Sequence, residues 1–204
     1  MRFLILACKI FEREISKILG DGQGHSIIML EFGYHKMPVI LQQRIQEIIN
    51  NASDVDAVLL LYGYCGGTLK LNTRDLPVIM PRAHDCFDIM LGSNERFSLF
   101  SDEPGTYFLS EGWVRKDSTP AEKIRGLRKR LKDNDDKIIE EIYAGYKRLL
   151  FVRTGIETEE NLLRARHAAD EMGWRFEEKI ADLTVMKKLF SGEWDREFII
   201  LNPQ

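Results

Sequence analysis

Cysteine is scarce in this chain. Three occur in 204 residues, and no two of them form a Cys-x-x-Cys pair. Three cysteines cannot all pair within the chain, so thiolate chemistry or metal binding ranks above a disulfide framework. Long apolar runs are missing too, none approaching the ~20 residues that span a bilayer. The opening MRFLILACKIFEREI has only a short apolar centre, and charge returns at Lys9, Glu12 and Arg13. It reads as a strand followed by a helix rather than an export signal, which leads to the expectation of a cytoplasmic protein without a membrane partner. There is no basic excess. A formal net charge of −3 argues against a nucleic-acid partner. Internal repeats and low-complexity tracts are absent. The glycine-rich GDGQGH at 20–25 follows no strand and is not succeeded by Gly-Lys-Ser/Thr, so it is not a phosphate loop.

What the chain does have is alternation. Short apolar runs suited to strands (RFLILA, SIIMLEF, Ala57–Leu61, Leu76–Met80, RLLFVRTG, WRFEEKI, EFIILNP) alternate with segments of helical period. The helical segments include FEREISKIL with Gly20 as its stop, VILQQRIQEIINNA with Pro38 in its first turn, TEENLLRARHAADEMGW and DLTVMKKLFSG. This pattern predicts an α/β fold, an open and mostly parallel sheet flanked by helices in the Rossmann-like manner. One domain over 1–204 is expected, with 102–120 as the place where two lobes would divide. EKIRGLRKRLKDNDDKIIEEIYAGY reads as one or two exposed charged helices, a surface on which two copies could pack as a homo-oligomer.

The stretch from Asp56 to Cys86 organises the rest. Its two apolar runs end in YGYCGG and PRAHDC, and the N-terminal run ends at Cys8, so every cysteine follows a strand. In open α/β sheets ligands bind at the carboxyl ends of the strands. Cys8, His35, Cys65, His84 and Cys86 are therefore expected on one edge. Cys8, Cys65 and Cys86, with His84 or His35 as a fourth ligand, would suit zinc or an iron–sulfur cluster with an open iron, because thiolate sulfur is soft. Two other readings stand beside this one. Cysteines after strands are often small buried hydrophobes, and Cys65 or Cys86 could be a metal-free nucleophile with His84 as its base.

Two further features concern ligands. Gly63, Gly66 and Gly67 permit close backbone approach, and with Arg82 and His84 nearby an anionic group on a small-molecule ligand becomes plausible. Arg82 could instead pair with Asp85 or Asp88. In PGTYFLSEGW, Tyr107 and Trp113 could line a flat pocket with Ser110 or Glu111 as a polar contact, or could belong to the core. His25 and His167 read as surface or satisfied histidines.

LLLYGYCGG at 59–67, PRAHDC at 81–86, LGSNERF at 91–97 and PGTYFLSEGW at 104–113, with Cys8 and His35, carry a resemblance. The chain resembles an uncharacterised domain family of archaea and anaerobic bacteria, often encoded beside corrinoid-dependent methyltransferases. The resemblance implies that Cys8, Cys65, His84 and Cys86 belong to a shared pattern. It also implies a setting in one-carbon metabolism, with proteins of a corrinoid methyltransferase system as partners. The Asp-x-His-x-x-Gly signature of many corrinoid proteins is missing, so direct corrinoid binding through that histidine is not expected. An enzyme with a metal-bound site and an accessory protein with a structural metal both remain open.

Overall fold

A computed structural model describes all residues except 21–23, 65–69, 74, 130–135 and 204. In chain order the elements are β1 (Phe3–Cys8), α1 (Glu12–Leu19), β2 (Ser26–Leu30), α2 (Pro38–Asn50), β3 (Ala57–Leu61), β4 (Val78–Pro81), α3 (Cys86–Leu91) and α4 (Ser93–Asp102). There follow β5 (Thr106–Ser110), α5 (Glu111–Val114), α6 (Pro120–Arg128), α7 (Asp136–Tyr143), β6 (Arg148–Arg153), α8 (Glu159–Met172), β7 (Arg175–Ile180), α9 (Thr184–Ser191) and β8 (Phe198–Leu201). Short 3-10 helices occupy Lys9–Phe11 and Phe32–Lys36. The expected α/β class is what the structure shows. No helix among the described residues is long and apolar enough to cross a membrane.

The chain forms two compact units. The first comprises Met1–Arg96 and Asp182–Gln204, and the second Phe97–Ala181. The first unit holds a five-stranded sheet in the order β2-β1-β3-β4-β8. All neighbours are parallel except β4 and β8, which run antiparallel. Every residue of β1, β3 and β4 is buried, as expected of parallel strands covered on both faces. The covering helices offer apolar stripes. Leu41, Ile45 and Ile49 of α2 are buried, as are Val185, Met186, Leu189 and Phe190 of α9. Helix α1 stops at Gly20, whose φ of 57° only glycine adopts without strain.

Strand order sets the functional edge. From β1 the chain crosses to β2 on one side, then passes back over β1 to place β3 on the other. The direction of winding thus reverses between β1 and β3, the switch point at which ligands bind in such sheets. The pairing Ala7↔Leu61 fixes the level of that edge: Cys8 ends β1 where Tyr62 leaves β3.

The second unit holds a three-stranded parallel sheet in the order β5-β6-β7. Its core is Leu109, Val114, Leu149, Phe151, Ala165, Ala169 and Trp174. Arg148 binds the amino ends of these strands together. Its guanidinium donates to Thr106 Oγ1 at 2.9 and 2.7 Å, to the Leu99 carbonyl at 3.0 Å and to Glu177 at 3.0 Å. Helix α8 is capped by Thr158, which accepts from the Asn161 N–H. Helix α6 carries a reciprocal capping box between Thr119 and Glu122.

Candidate functional site

The turns after β3 and β4 are locked to each other. Tyr64 N–H donates to the Ala83 carbonyl at 2.9 Å. Gly63 lies so close to the second turn that a Cβ there would sit 2.8 Å from Asp85 N, 2.9 Å from Ala83 O and 2.9 Å from His84 C. Glycine is required at this position by backbone approach, not by φ. The Tyr64 and His84 rings meet edge to face, 6.1 Å between centroids. The first cysteine-bearing turn thus begins against the second, and Cys65 follows Tyr64 in the chain.

The PRAHDC turn is built by its two acids. Asp85 is the N-cap of α3, its carboxylate accepting from Phe87 N at 2.8 Å and Asp88 N at 3.0 Å. Asp88, buried, accepts from His84 N at 2.7 Å. Burial raises the Asp88 pKa, and the negative charge of Asp85 adds to this, while the His84 N–H and the charge of Arg96 pull the other way. The cation beside Asp85 is Arg96, at 3.7 Å. Arg82 forms no such pair with Asp85 or Asp88. Cys86 becomes the first residue of α3, half-buried, while the His84 side chain one residue before the cap is exposed.

The other expected site residues fall as follows. Cys8 is buried at the end of β1. His35 lies in the 3-10 helix after β2, with Nδ1 against the Phe32 carbonyl and the two rings 4.7 Å apart. Cys65, Gly66 and Gly67 lie outside the described residues. Among the described residues no group of three or more His, Cys, Asp or Glu is arranged to hold a metal ion. Tyr107 belongs to the second unit and packs in an aromatic group with Tyr146 at 5.4 Å and Trp174 at 5.6 Å. Its hydroxyl accepts from Lys123 at 2.7 Å, and Lys123 also lies 4.5 Å over the Trp113 ring. Burial first, then Tyr143 and Tyr146, push the Tyr107 pKa far upward, so the phenol stays protonated. In the same motif Glu111 is buried and accepts from Asn161 Nδ2 at 2.9 Å, and Ser110 is buried. Of the two remaining histidines, His25 accepts from the Phe3 N–H and stacks on the Phe3 ring, and His167 is exposed beside Glu171.

Sequence reasoning misses one set of residues at this edge. Strand β8 is antiparallel to β4, with Pro81 opposite Phe198, and Arg82 N–H donates to the Glu197 carbonyl at 2.8 Å. Asp195, Arg196 and Glu197 therefore come to the carboxyl end of β4. The signal lay in EFIILNP, had it been paired with β4 and given a direction.

Residues 29–190, well over half of the chain, match the model of a family described as protein of unknown function, DUF1638. A search of curated proteins found no match, and neither did a search of solved structures.

Proposed function

The chain belongs to the DUF1638 family, and on that premise we propose that it is a metal- or cluster-binding protein whose site lies at the carboxyl edge of the first sheet. Cys8, Cys65 and Cys86 would supply thiolates, and His84 or His35 a fourth ligand. The observation that carries the reading is the docking of Gly63 and Tyr64 on residues 83–85. It holds the residues just before Cys65 in sequence against the turn that leads into Cys86, beside the strand that ends in Cys8 and next to the switch point.

The donor set fits a soft metal. Asp85 and Asp88 are engaged by backbone N–H groups, which leaves sulfur and imidazole as the donors. That combination suits zinc or an iron–sulfur cluster rather than magnesium or calcium. Bound zinc would supply Lewis acidity or thiolate activation, and a cluster with an open iron would supply substrate binding or electron transfer. The chain's own contribution is positional. The caps and backbone hydrogen bonds around 83–88 fix Cys86 at the head of α3. His84, exposed at the same turn, is available to bind a ligand or carry a proton.

The proposed setting is one-carbon metabolism, with a small-molecule substrate and proteins of a corrinoid methyltransferase system as partners. The site serves either catalysis or metal delivery there. Its support is the resemblance of YGYCGG, PRAHDC and PGTYFLSEGW.

Anaerobic purification with metal analysis and a visible spectrum tests the site. Iron with sulfide and a brown chromophore, or one colourless zinc per chain, is expected. Cys8→Ala, Cys65→Ala and Cys86→Ala should each abolish it. Metal-free protein would overturn the reading in favour of a Cys–His pair without metal. Retention of metal in Cys8→Ala alone would show that the three cysteines do not share a site.

A further inference from the structure

A cleft of ≈ 530 Å³ opens beside the PRAHDC turn, wholly within the first unit. Arg82, Ser93, Asn94, Lys188 and Arg196 contribute to its wall. Its volume falls within the ~300–1,000 Å³ of ordinary small-molecule sites. Two hydrogen bonds assemble it. The Arg82 N–H to Glu197 carbonyl bond sets Arg196 one residue from the backbone paired with Arg82. Ser93 Oγ donates to the Arg82 carbonyl at 3.2 Å, bringing the first turn of α4 to the same wall. Lys188 of α9 also lines it.

The charges of the cleft are unequally used. Lys188 Nζ lies 2.7 Å from Asp195 and 2.6 Å from Glu197, so one ammonium is shared by both acids of the segment before β8 and offsets one of their two charges. Asp88, the remaining acid on the wall, accepts the His84 N–H. Arg82 uses only its backbone groups, and Arg196 is felt by Asp195 as a positive field. Among the described residues neither guanidinium makes a side-chain hydrogen bond or salt bridge. Two uncommitted guanidinium forks on one concave wall, with a serine hydroxyl and an asparagine amide beside them, match a tetrahedral oxyanion.

We infer that this cleft binds the phosphate group of a small organic phosphate, held by Arg82 and Arg196 with Ser93 and Asn94 as neutral partners. The assignment does not depend on a metal. It gives Arg82 a role distinct from the glycine-rich turn. It also puts an anion anchor on the same turn as His84 and Cys86.

Inorganic phosphate is the probe. Titration of the full chain, followed by calorimetry or by phosphorus NMR, should show saturable binding that weakens with added salt. Arg82→Gln and Arg196→Gln should each lower the affinity about tenfold or more, the scale of a lost charge-assisted hydrogen bond. Arg44→Gln, which removes an exposed arginine paired with Glu47 elsewhere, should leave it unchanged. Both cleft arginines are at the surface, and an unchanged circular dichroism spectrum and melting temperature would confirm that the variants fold. Binding that does not saturate, equal losses in all three variants, or tighter binding of acetate than of phosphate would overturn the assignment.

Discussion

Replacing Gly63 by alanine would drive a methyl group into three backbone atoms of residues 83–85, at 2.8–2.9 Å. Backbone cannot swing aside as a side chain can, so the two turns must part. A cost of about 1–3 kcal/mol is expected, the usual range for overpacking. Urea denaturation should show a lower midpoint at unchanged slope, and the Cys86 thiol should react faster with an alkylating reagent. An unaltered midpoint and thiol rate would mean that the turns are not held by this contact. Asp88 gives a second residue-scale test. Its folded pKa is raised above the ordinary 3.8, chiefly by burial. The native state therefore holds this proton more tightly than the unfolded chain does. Stability from this group is greatest at low pH and falls as pH rises from about 4 through the raised native value, then levels off. Asp88→Asn keeps an oxygen acceptor for the His84 N–H and removes the titration. Its stability should fall less than that of the wild type over the same range, read from urea midpoints at successive pH values. Both residues were visible in the motifs but their jobs were not. A glycine in YGYCGG suggests a ligand cradle, whereas Gly63 serves a backbone-to-backbone contact across a parallel strand pair.

Among elements, β6 depends on its first residue. Arg148 is buried and ties Thr106, Leu99 and Glu177 together, with Glu103 also within 3.5 Å. Arg148→Ala removes these bonds at the amino ends of all three strands, where Thr106, Arg148 and Arg175 are in register. The expected loss is about 2–3 kcal/mol. It is less than for a fully buried pair because Glu103 and Glu177 keep access to water. Arg148→Lys should lose less, since charge is kept and only the fork is lost. Equal stabilities of wild type and Arg148→Ala would show that the network contributes nothing. Elements of this kind were the most legible part of the sequence. Ala57–Leu61 matches β3 residue for residue. Apolar runs of four to six residues announce a strand but carry no direction. EFIILNP therefore marks a last strand without showing that it runs antiparallel to β4. The cleft lined by Arg82 and Arg196 depends on that direction, which is why local motifs did not find it.

For the whole molecule, the chain leaves the first unit after Arg96 and returns at Asp182, so α9 and β8 complete a sheet begun at the N-terminus. Strand–helix alternation continues across both crossings without a change in composition. A five-stranded, mostly parallel sheet with a three-stranded parallel one, and a single longer sheet, therefore look alike in sequence. The difference lies in which strands pair, a long-range choice made by packing. Each unit has its own buried core, and units with separate cores need not unfold together. Arg148→Ala weakens only contacts within the second unit, which makes it a probe of that independence. Hydrogen exchange in this variant should show lost protection at Leu149–Val152 in β6. Leu4–Ala7 in β1 and Val58–Leu61 in β3 should stay as protected as in the wild type. If protection falls by the same free energy in both sheets, the chain opens as one cooperative body, and the first unit draws part of its stability from the second.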